Sequence, residues 1–439
     1  MLKSTPLLKS NKILVNDKRT ITGWAFFDWA NSAYSLVIST AIFPIYFIAI
    51  TSDTINIFGF SIQNSALYSF IVSASFIIVA IFSPLLGGIA DYGDKRMFFM
   101  RVFSTVGSIA CVFLFFFENQ YDIILGSVAF AVATIGHASS IIFYDAYLPD
   151  IATPDRYDKV SAKGFAFGYI GSVLLLLFII FMSLKPEVFG IDPDSSLPYR
   201  IGFALVGIWW FGFSQITFRR LPKSNMDGFE EGIVKKGYIE LRSVVKELKK
   251  KKNIQKYLTA FFFYSAGVQT VIYLATVFAE KELAFESSEL ISIVLLLQLV
   301  AIAGAYFFAW LSKKLGNKQA LLISISIWFG ICLAAFFVDS KDLFYGIAAL
   351  VGMVLGGIQS LSRSTFSKLL DSDEQELTSY FSFYDVLYYL SVVFGTFAFG
   401  LVEQLTNNIR YSVLVLAIFF VVGFILLLKV NIERTIKVS

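Results

Sequence analysis

The chain has 439 residues, 57% of them hydrophobic and 17% aromatic, with only 15% charged and a net charge of +4. Soluble domains carry about 25% charge, so the composition excludes an ordinary soluble enzyme and points to a membrane protein. Cys111 and Cys332 both lie inside apolar runs and His137 is the single histidine. No disulfide framework, metal site or cofactor is therefore expected, and a Ser-His-Asp triad or a clustered acid–base site is hard to build. No phosphate-binding GxxxxGK[ST] loop is present, so ATP is not expected to be the direct energy source. The first twenty or so residues are polar and basic, without the short apolar core of a signal peptide.

A bilayer core needs about 20 apolar residues per helix. Twelve runs qualify: 23–50, 65–90, 97–117, 122–145, 162–184, 199–218, 255–279, 288–311, 319–338, 342–365, 378–402 and 409–430. With an even number of spans both termini share a side. That side receives 31 of the 36 lysines and arginines, against 5 (Lys185, Arg200, Lys281, Lys341 and Arg410) on the other. The positive-inside rule then puts both termini in the cytoplasm.

The first span is apolar yet carries Asp28, Asn31, Ser32, Ser35 and Ser39, which stack on one helical face. Intramembrane polar groups of this kind face a water-filled cavity or a partner helix. The fourth span carries Thr134, His137 and Asp145, with Tyr144 beside it. The seventh has Ser265, Gln269, Tyr273 and Thr276, and the tenth Gly352, Gly356, Gln359, Ser362, Arg363 and Ser364. Spans 3, 9 and 12 are almost purely apolar. Gly164, Gly168 and Gly171 in the fifth span read as close helix packing.

The one long linker, residues 219–256, divides the spans six and six. It places Leu241, Val244, Val245 and Leu248 on one helical face and lysines on the other, a pattern suited to an anionic membrane surface rather than to nucleic acid. The halves echo each other weakly. Between spans 2 and 3 stands GGIADYGDKR, from Gly87 to Arg96; between spans 8 and 9 stands AWLSKKLGNK, from Ala309 to Lys318. Both are short, basic, glycine-containing turns, as repeated transporter halves have.

The first of these loops, with Gly87, Asp91, Gly93, Lys95 and Arg96, resembles the signature loop of the major facilitator superfamily. It is one residue shorter than usual between Asp91 and Gly93, and the second copy has Lys313 where the acid would stand. The stretches FFDWANSAY…FPIYF in span 1, GFAFGYIG at 164–171, GGIQSLSRS at 356–364, FYDV at 383–386 and FGLVEQLT at 399–406 resemble the vacuole-effluxer-like branch of that superfamily, autophagy-related amino-acid effluxers with bacterial-type members. The resemblance implies an all-α integral membrane protein of twelve transmembrane helices in two pseudo-symmetric six-helix bundles. It also implies secondary active transport of a small polar solute by alternating access. For the fungal branch it implies amino-acid efflux. The domains are then a cytoplasmic segment 1–22, an N-terminal bundle 23–218, a cytoplasmic basic amphipathic linker 219–254, a C-terminal bundle 255–430 and a cytoplasmic tail 431–439.

In such carriers helices 1, 4, 7 and 10 line the central cavity, and the polar stripes fall on those four. Candidate cavity and substrate residues are Asp28, Asn31, Ser35, His137, Gln269, Tyr273, Gln359, Arg363, Tyr384 and Tyr388. Asp28, Asp145, Arg363 and Asp385 all lie near the cytoplasmic mouth and form a candidate inner gate of breakable ion pairs. Arg363 can instead tie spans 10 and 11 together, or clamp a substrate carboxylate. Asp28 has a second reading as proton carrier and His137 as proton relay, against packing or helix-end roles for each. Tyr384, Tyr388 and Tyr389 either stack on a ligand or pack. In the signature loop, Asp91 is expected to accept hydrogen bonds at the start of a helix in the other bundle, with Lys95 and Arg96 at the headgroups.

The expected partners are a small-molecule substrate, the bilayer and a coupling proton or sodium ion, with no nucleic acid and a monomeric state. The expected location is the cell (inner) membrane of a bacterium. A peptide- or sugar-derived solute permease and a non-transporting receptor or scaffold are the alternatives.

Overall fold

The structure is a computed structural model, and it describes residues 15–57, 60–193, 195–222, 230–370, 376–406 and 408–432. Most of the expected 1–22 segment and of the 431–439 tail lies outside these. Among them fifteen α-helices follow in order: α1 (Lys18–Ala33), α2 (Phe43–Ile50), α3 (Asn64–Tyr92), α4 (Arg96–Phe113), α5 (Ile123–Asp145), α6 (Leu148–Ile151), α7 (Tyr157–Leu184), α8 (Leu197–Arg220), α9 (Ile233–Lys250), α10 (Lys252–Leu283), α11 (Ser287–Leu315), α12 (Asn317–Phe337), α13 (Lys341–Leu369), α14 (Leu377–Thr406) and α15 (Ile409–Leu428). Among the described residues, ten helices are long and apolar enough to cross a membrane, or eleven if the bent pair at the start counts as one span. The remaining expected run, 255–279, lies within the 32 residues of α10. The runs 319–338 and 342–365 are separate helices, α12 and α13.

The first span is not one regular helix. Asp17 caps α1 by accepting from the Thr20 amide at 2.8 Å. The chain then widens into a π-helical segment at Tyr34–Ala41. There the Thr40 hydroxyl and the Ile42 amide each donate five residues back, to the Ser35 and Val37 carbonyls. Pro44 at the start of α2 lacks an amide hydrogen, so the ladder cannot continue, and the two pieces meet at 41°. A short antiparallel hairpin, β1 (Thr54–Ile57) with β2 (Phe60–Gln63), joins α2 to α3 in register Thr54↔Gln63, an element not anticipated from hydropathy.

Helices α1 to α8 pack mainly on one another, and so do α10 to α15. The two halves meet where α3 lies against α14 and α7 against α11 and α13. We call the end where α1 begins and α15 ends the terminal face, and the other the far face. Helix α9 also rests on protein, which its amphipathic pattern alone did not require, while Val234, Tyr238 and Ile239 stay exposed. Its apolar side packs on the protein, with Ile233, Gly237 and Val244 buried and Leu248 against the core of the second half. A Cβ on Gly88 of α3 would overlap the Gly237 carbonyl of α9, so glycine at this crossing lets the two backbones touch.

Candidate functional site

A cavity of about 240 Å³ lies between the halves. Asp28, Asn31, Ser32, Ser35 and Ser39 all line it, so one stripe runs from α1 through the π-helical segment. The stretch from Asp28 to Thr40 makes the cavity wall roughly 18 Å tall at 1.5 Å per residue. Thr134, His137 and Asp145 line it from α5, Ser265, Gln269 and Tyr273 from α10, and Gln359, Ser362 and Arg363 from α13. Tyr384, Asp385, Tyr388 and Tyr389 of α14 also line it, as do Phe165, Tyr169 and Ser172 of α7 and Gln298 of α11; the four-helix argument did not include these helices. The Thr276 side chain is outside the description. Gly352 and Gly356 depart from the expected stripe: a Cβ on either would press on the Leu297 or Ala301 carbonyl of α11, so they serve helix packing.

At the terminal end of the cavity Arg363 crosses from the second half into the first. Its Nη1 donates to Asp145 Oδ1 at 2.9 Å, and both Nη atoms approach Asp28 Oδ2 at 3.3–3.4 Å. Its Nε donates to the Ser161 hydroxyl at 2.9 Å and Nη2 to the Ser161 carbonyl at 3.0 Å. The Tyr144 hydroxyl adds a third donor to Asp28 Oδ2 at 2.7 Å. The guanidinium lies 4.6 Å from the Trp24 ring and 4.3 Å from the Phe165 ring. Close helices make this possible: a Cβ on Gly164 would overlap Asp28 Oδ2 and lie 2.9 Å from Arg363 Nη2. Gly168 and Gly171 likewise sit against α1, at Ser32 and Trp29.

Two readings of Arg363 change as a result. It joins α13 to α1, α5 and α7 rather than to span 11. Its five donor hydrogens are all engaged, which leaves none for a substrate carboxylate in this state. Asp385, expected in the same gate, is not among its partners. Its Oδ2 is buried without any hydrogen-bond partner. His137 packs against Tyr34 in a tilted contact and edge-on to Trp210, with ring centroids 4.8 and 6.0 Å away, while the Tyr34 and Thr134 hydroxyls bond each other at 2.7 Å.

Further bonds tie the halves together on the terminal face. Asp91, at the end of α3, accepts from the Thr378 and Ser379 amides at 3.1 and 2.7 Å and from the Ser379 hydroxyl. These are orphan donors at the start of α14. Gly87 permits the approach, since its Cβ would stand 3.2 Å from the Ser379 backbone. Arg96 does not lie at the headgroups: it bonds Thr378, the Ala146 carbonyl and Asp150. Lys95 is buried too, at 2% exposure. The strained residue of the turn is Asp94 (φ 50°), while Gly93 has an ordinary φ of −93°.

The second-half loop makes the equivalent contact with donor and acceptor exchanged. Ser312 and Asn317 donate to Asp158 at the start of α7, at 2.7 and 2.8 Å, and Lys368 pairs with the same carboxylate at 2.7 Å. Sequence reading missed Asp158 and Lys368. The repeated loop was the available signal, because a loop equivalent to Gly87–Arg96 should dock at the start of span 5. Higher up, Tyr169 donates to Gln359 at 2.6 Å and Tyr389 to the Ala138 carbonyl at 3.1 Å. Near the far face, Tyr273 meets Ser39.

A bundle of long apolar helices in two halves, enclosing a polar cavity whose one end is closed by ion pairs between them, defines a transporter of the major facilitator type. Solved structures agree. The fold matches a bacterial homologue of the iron transporter ferroportin in an outward-facing state (TM-score 0.67, 15% identity, 94% of this chain and 98% of that one). It also matches the transporter FucP in an outward conformation (TM-score 0.69, 13% identity, the same coverage). At such identities the likeness shows the fold alone.

The sequence narrows the class. The family described as "Vacuole effluxer Atg22 like" matches residues 16–438, and the chain belongs to that family. It is 30% identical over 417 residues to an uncharacterized MFS-type transporter, YxiO, of Bacillus subtilis (strain 168), covering 95% of this chain and 96% of that one. It is 25% identical over 408 residues to autophagy-related protein 22 of Kluyveromyces lactis, covering 85% and 80%.

Proposed function

We propose that this transporter carries amino acids by alternating access, with both termini in the cytoplasm and energy drawn from an ion gradient. The observation that carries the reading is the cavity sealed at its terminal end by Arg363, Asp28 and Asp145. Its volume of about 240 Å³ falls below the ~300–1,000 Å³ of drug-sized pockets, which favours a small solute. The family description, vacuole effluxer Atg22 like, together with the amino-acid efflux that the sequence resemblance implies, favours amino acids within that range. The two halves, 23–218 and 255–430, act as the rocking bodies and α9 as the tie between them.

In this reading the cavity is loaded from the far face. Solute binding weakens the Arg363 cluster and the Asp91 and Asp158 clasps, and the terminal face opens. Asp28 acts as a gate residue: three donors converge on its Oδ2, a set that suits an ionised carboxylate holding the closed state. Purified protein in proteoliposomes, preloaded with leucine, should exchange it for labelled leucine; failure to exchange any amino acid while a sugar such as fucose is exchanged would overturn the amino-acid assignment.

A further inference from the structure

We propose that Asp385 is the carboxylate that binds a positively charged nitrogen of the solute, so that the cavity takes ligands bearing an ammonium group. The inference rests on the cavity being the substrate site, and it adds which atom of the solute is read and by what.

The charges around the cavity do not balance. Among the described lining residues, Asp28, Asp145 and Asp385 are acidic, Arg363 is the one Lys or Arg, and His137 is the only histidine. Arg363 spends its fork on Asp28, Asp145 and Ser161. Asp385 is 4% exposed, lines the cavity from α14, and has an Oδ2 without a partner. Its charged neighbours are Asp145 and Arg363, and Asp145 is already bonded to that arginine.

Two neighbouring tyrosines give their hydroxyls to other acceptors. Tyr388 donates to Gln269 at 2.9 Å and Tyr389 to the Ala138 carbonyl. The Tyr384 ring is stacked on Phe261 at 4.2 Å and on Phe366 at 5.0 Å. A buried carboxylate left without compensation costs several kcal/mol, so a site that keeps one beside a cavity is built for a partner that arrives from it. Asn31 and Gln298 also have buried unpartnered atoms in the same wall. An amide offers both a donor and an acceptor, whereas an ionised carboxylate only accepts; Asp385 therefore sets the sign of the ligand. Tyrosine rings around it add cation–π attraction for the same nitrogen.

The test is equilibrium binding to full-length detergent-purified protein of four probes: leucine, leucinamide, 3-methylbutylamine and N-acetylleucine. Leucine, leucinamide and the amine should bind, and N-acetylleucine, which lacks the cation, at least tenfold more weakly. Asp385→Asn should weaken the three cationic probes at least tenfold while keeping the melting temperature of the empty protein. If that variant does not fold, the wild-type series decides alone. N-acetylleucine binding as tightly as leucine, or unchanged affinity in Asp385→Asn (as when Asp385 merely holds a proton), overturns the inference, as does failure of every amine to bind. Binding of 3-methylbutylamine and leucinamide without leucine upholds it while overturning the amino-acid reading.

Discussion

Replacing Arg363 with glutamine should do more harm than removing the whole charge cluster. In the native protein its guanidinium bonds two carboxylates and both the hydroxyl and the carbonyl of Ser161, with Arg363 at 3% exposure, Asp28 at 7% and Asp145 at 5%. Arg363→Gln leaves two buried carboxylates without their shared cation. Breaking a buried pair this way costs about 3–5 kcal/mol, and loss of the Trp24 and Phe165 contacts adds roughly 1 kcal/mol. Neutralising all three groups (Arg363→Gln with Asp28→Asn and Asp145→Asn) removes the stranded charges and should restore most of that loss. Unfolding in mixed detergent–SDS micelles measures both. Since each 1.4 kcal/mol is about tenfold, the single variant also shifts the closed-to-open equilibrium of the terminal face by roughly a thousandfold toward open. A single variant within about 1 kcal/mol of wild type, or a triple variant no more stable than the single, would refute the reasoning.

Three further outcomes follow from the same geometry. Asp91→Ala removes the acceptor for two α14 amides and the Ser379 hydroxyl; at about 1.5–3 kcal/mol per charged hydrogen bond it should markedly speed labelling of a cysteine placed at Ser379. Gly164→Ala forces a methyl into the space of Asp28 Oδ2 and should destabilise the protein by about 1–3 kcal/mol, with transport lost, in an unfolding titration and an exchange assay. The Thr20 amide and then its hydroxyl hold the Asp17 carboxyl below its ordinary value. A group held low stabilises the fold above its unfolded value and loses that contribution as pH falls through the folded one. Asp17→Ala should thus be less stable than wild type at neutral pH, with the gap closing below about pH 4 in paired melts.

Much of this architecture was readable from one chain. The α1 stripe was legible because helical spacing survives the π-helical segment, whose extra residue per turn moves Ser35 and Ser39 without turning them from the cavity. Asp91 was legible because an acid at a helix end invites the free amides of another helix. Other features were hidden. The amphipathic face of α9 is equally suited to lipid and to protein, and hydropathy cannot tell which covers it. Gly352 and Gly356 share a face with Gln359 in sequence, but a residue without a side chain marks a contact as readily as a cavity. The choice of Arg363 between three nearby acids depends on which carboxylate its fork can reach, and Asp385 lost to Asp28, Asp145 and Ser161. The pairing of Lys368 with Asp158 joins residues 210 apart in the chain, beyond any local pattern.

Alternating access predicts opposite motions at the two faces, and paired spin-label distances read them directly. Labels at Lys159 and Lys313 report the terminal face, and labels at Tyr121 and Asp339 the far face; all four are exposed. Adding leucine to the reconstituted protein should lengthen the 159–313 distance and shorten the 121–339 distance together. Both distances unchanged while leucine exchange proceeds would contradict the account.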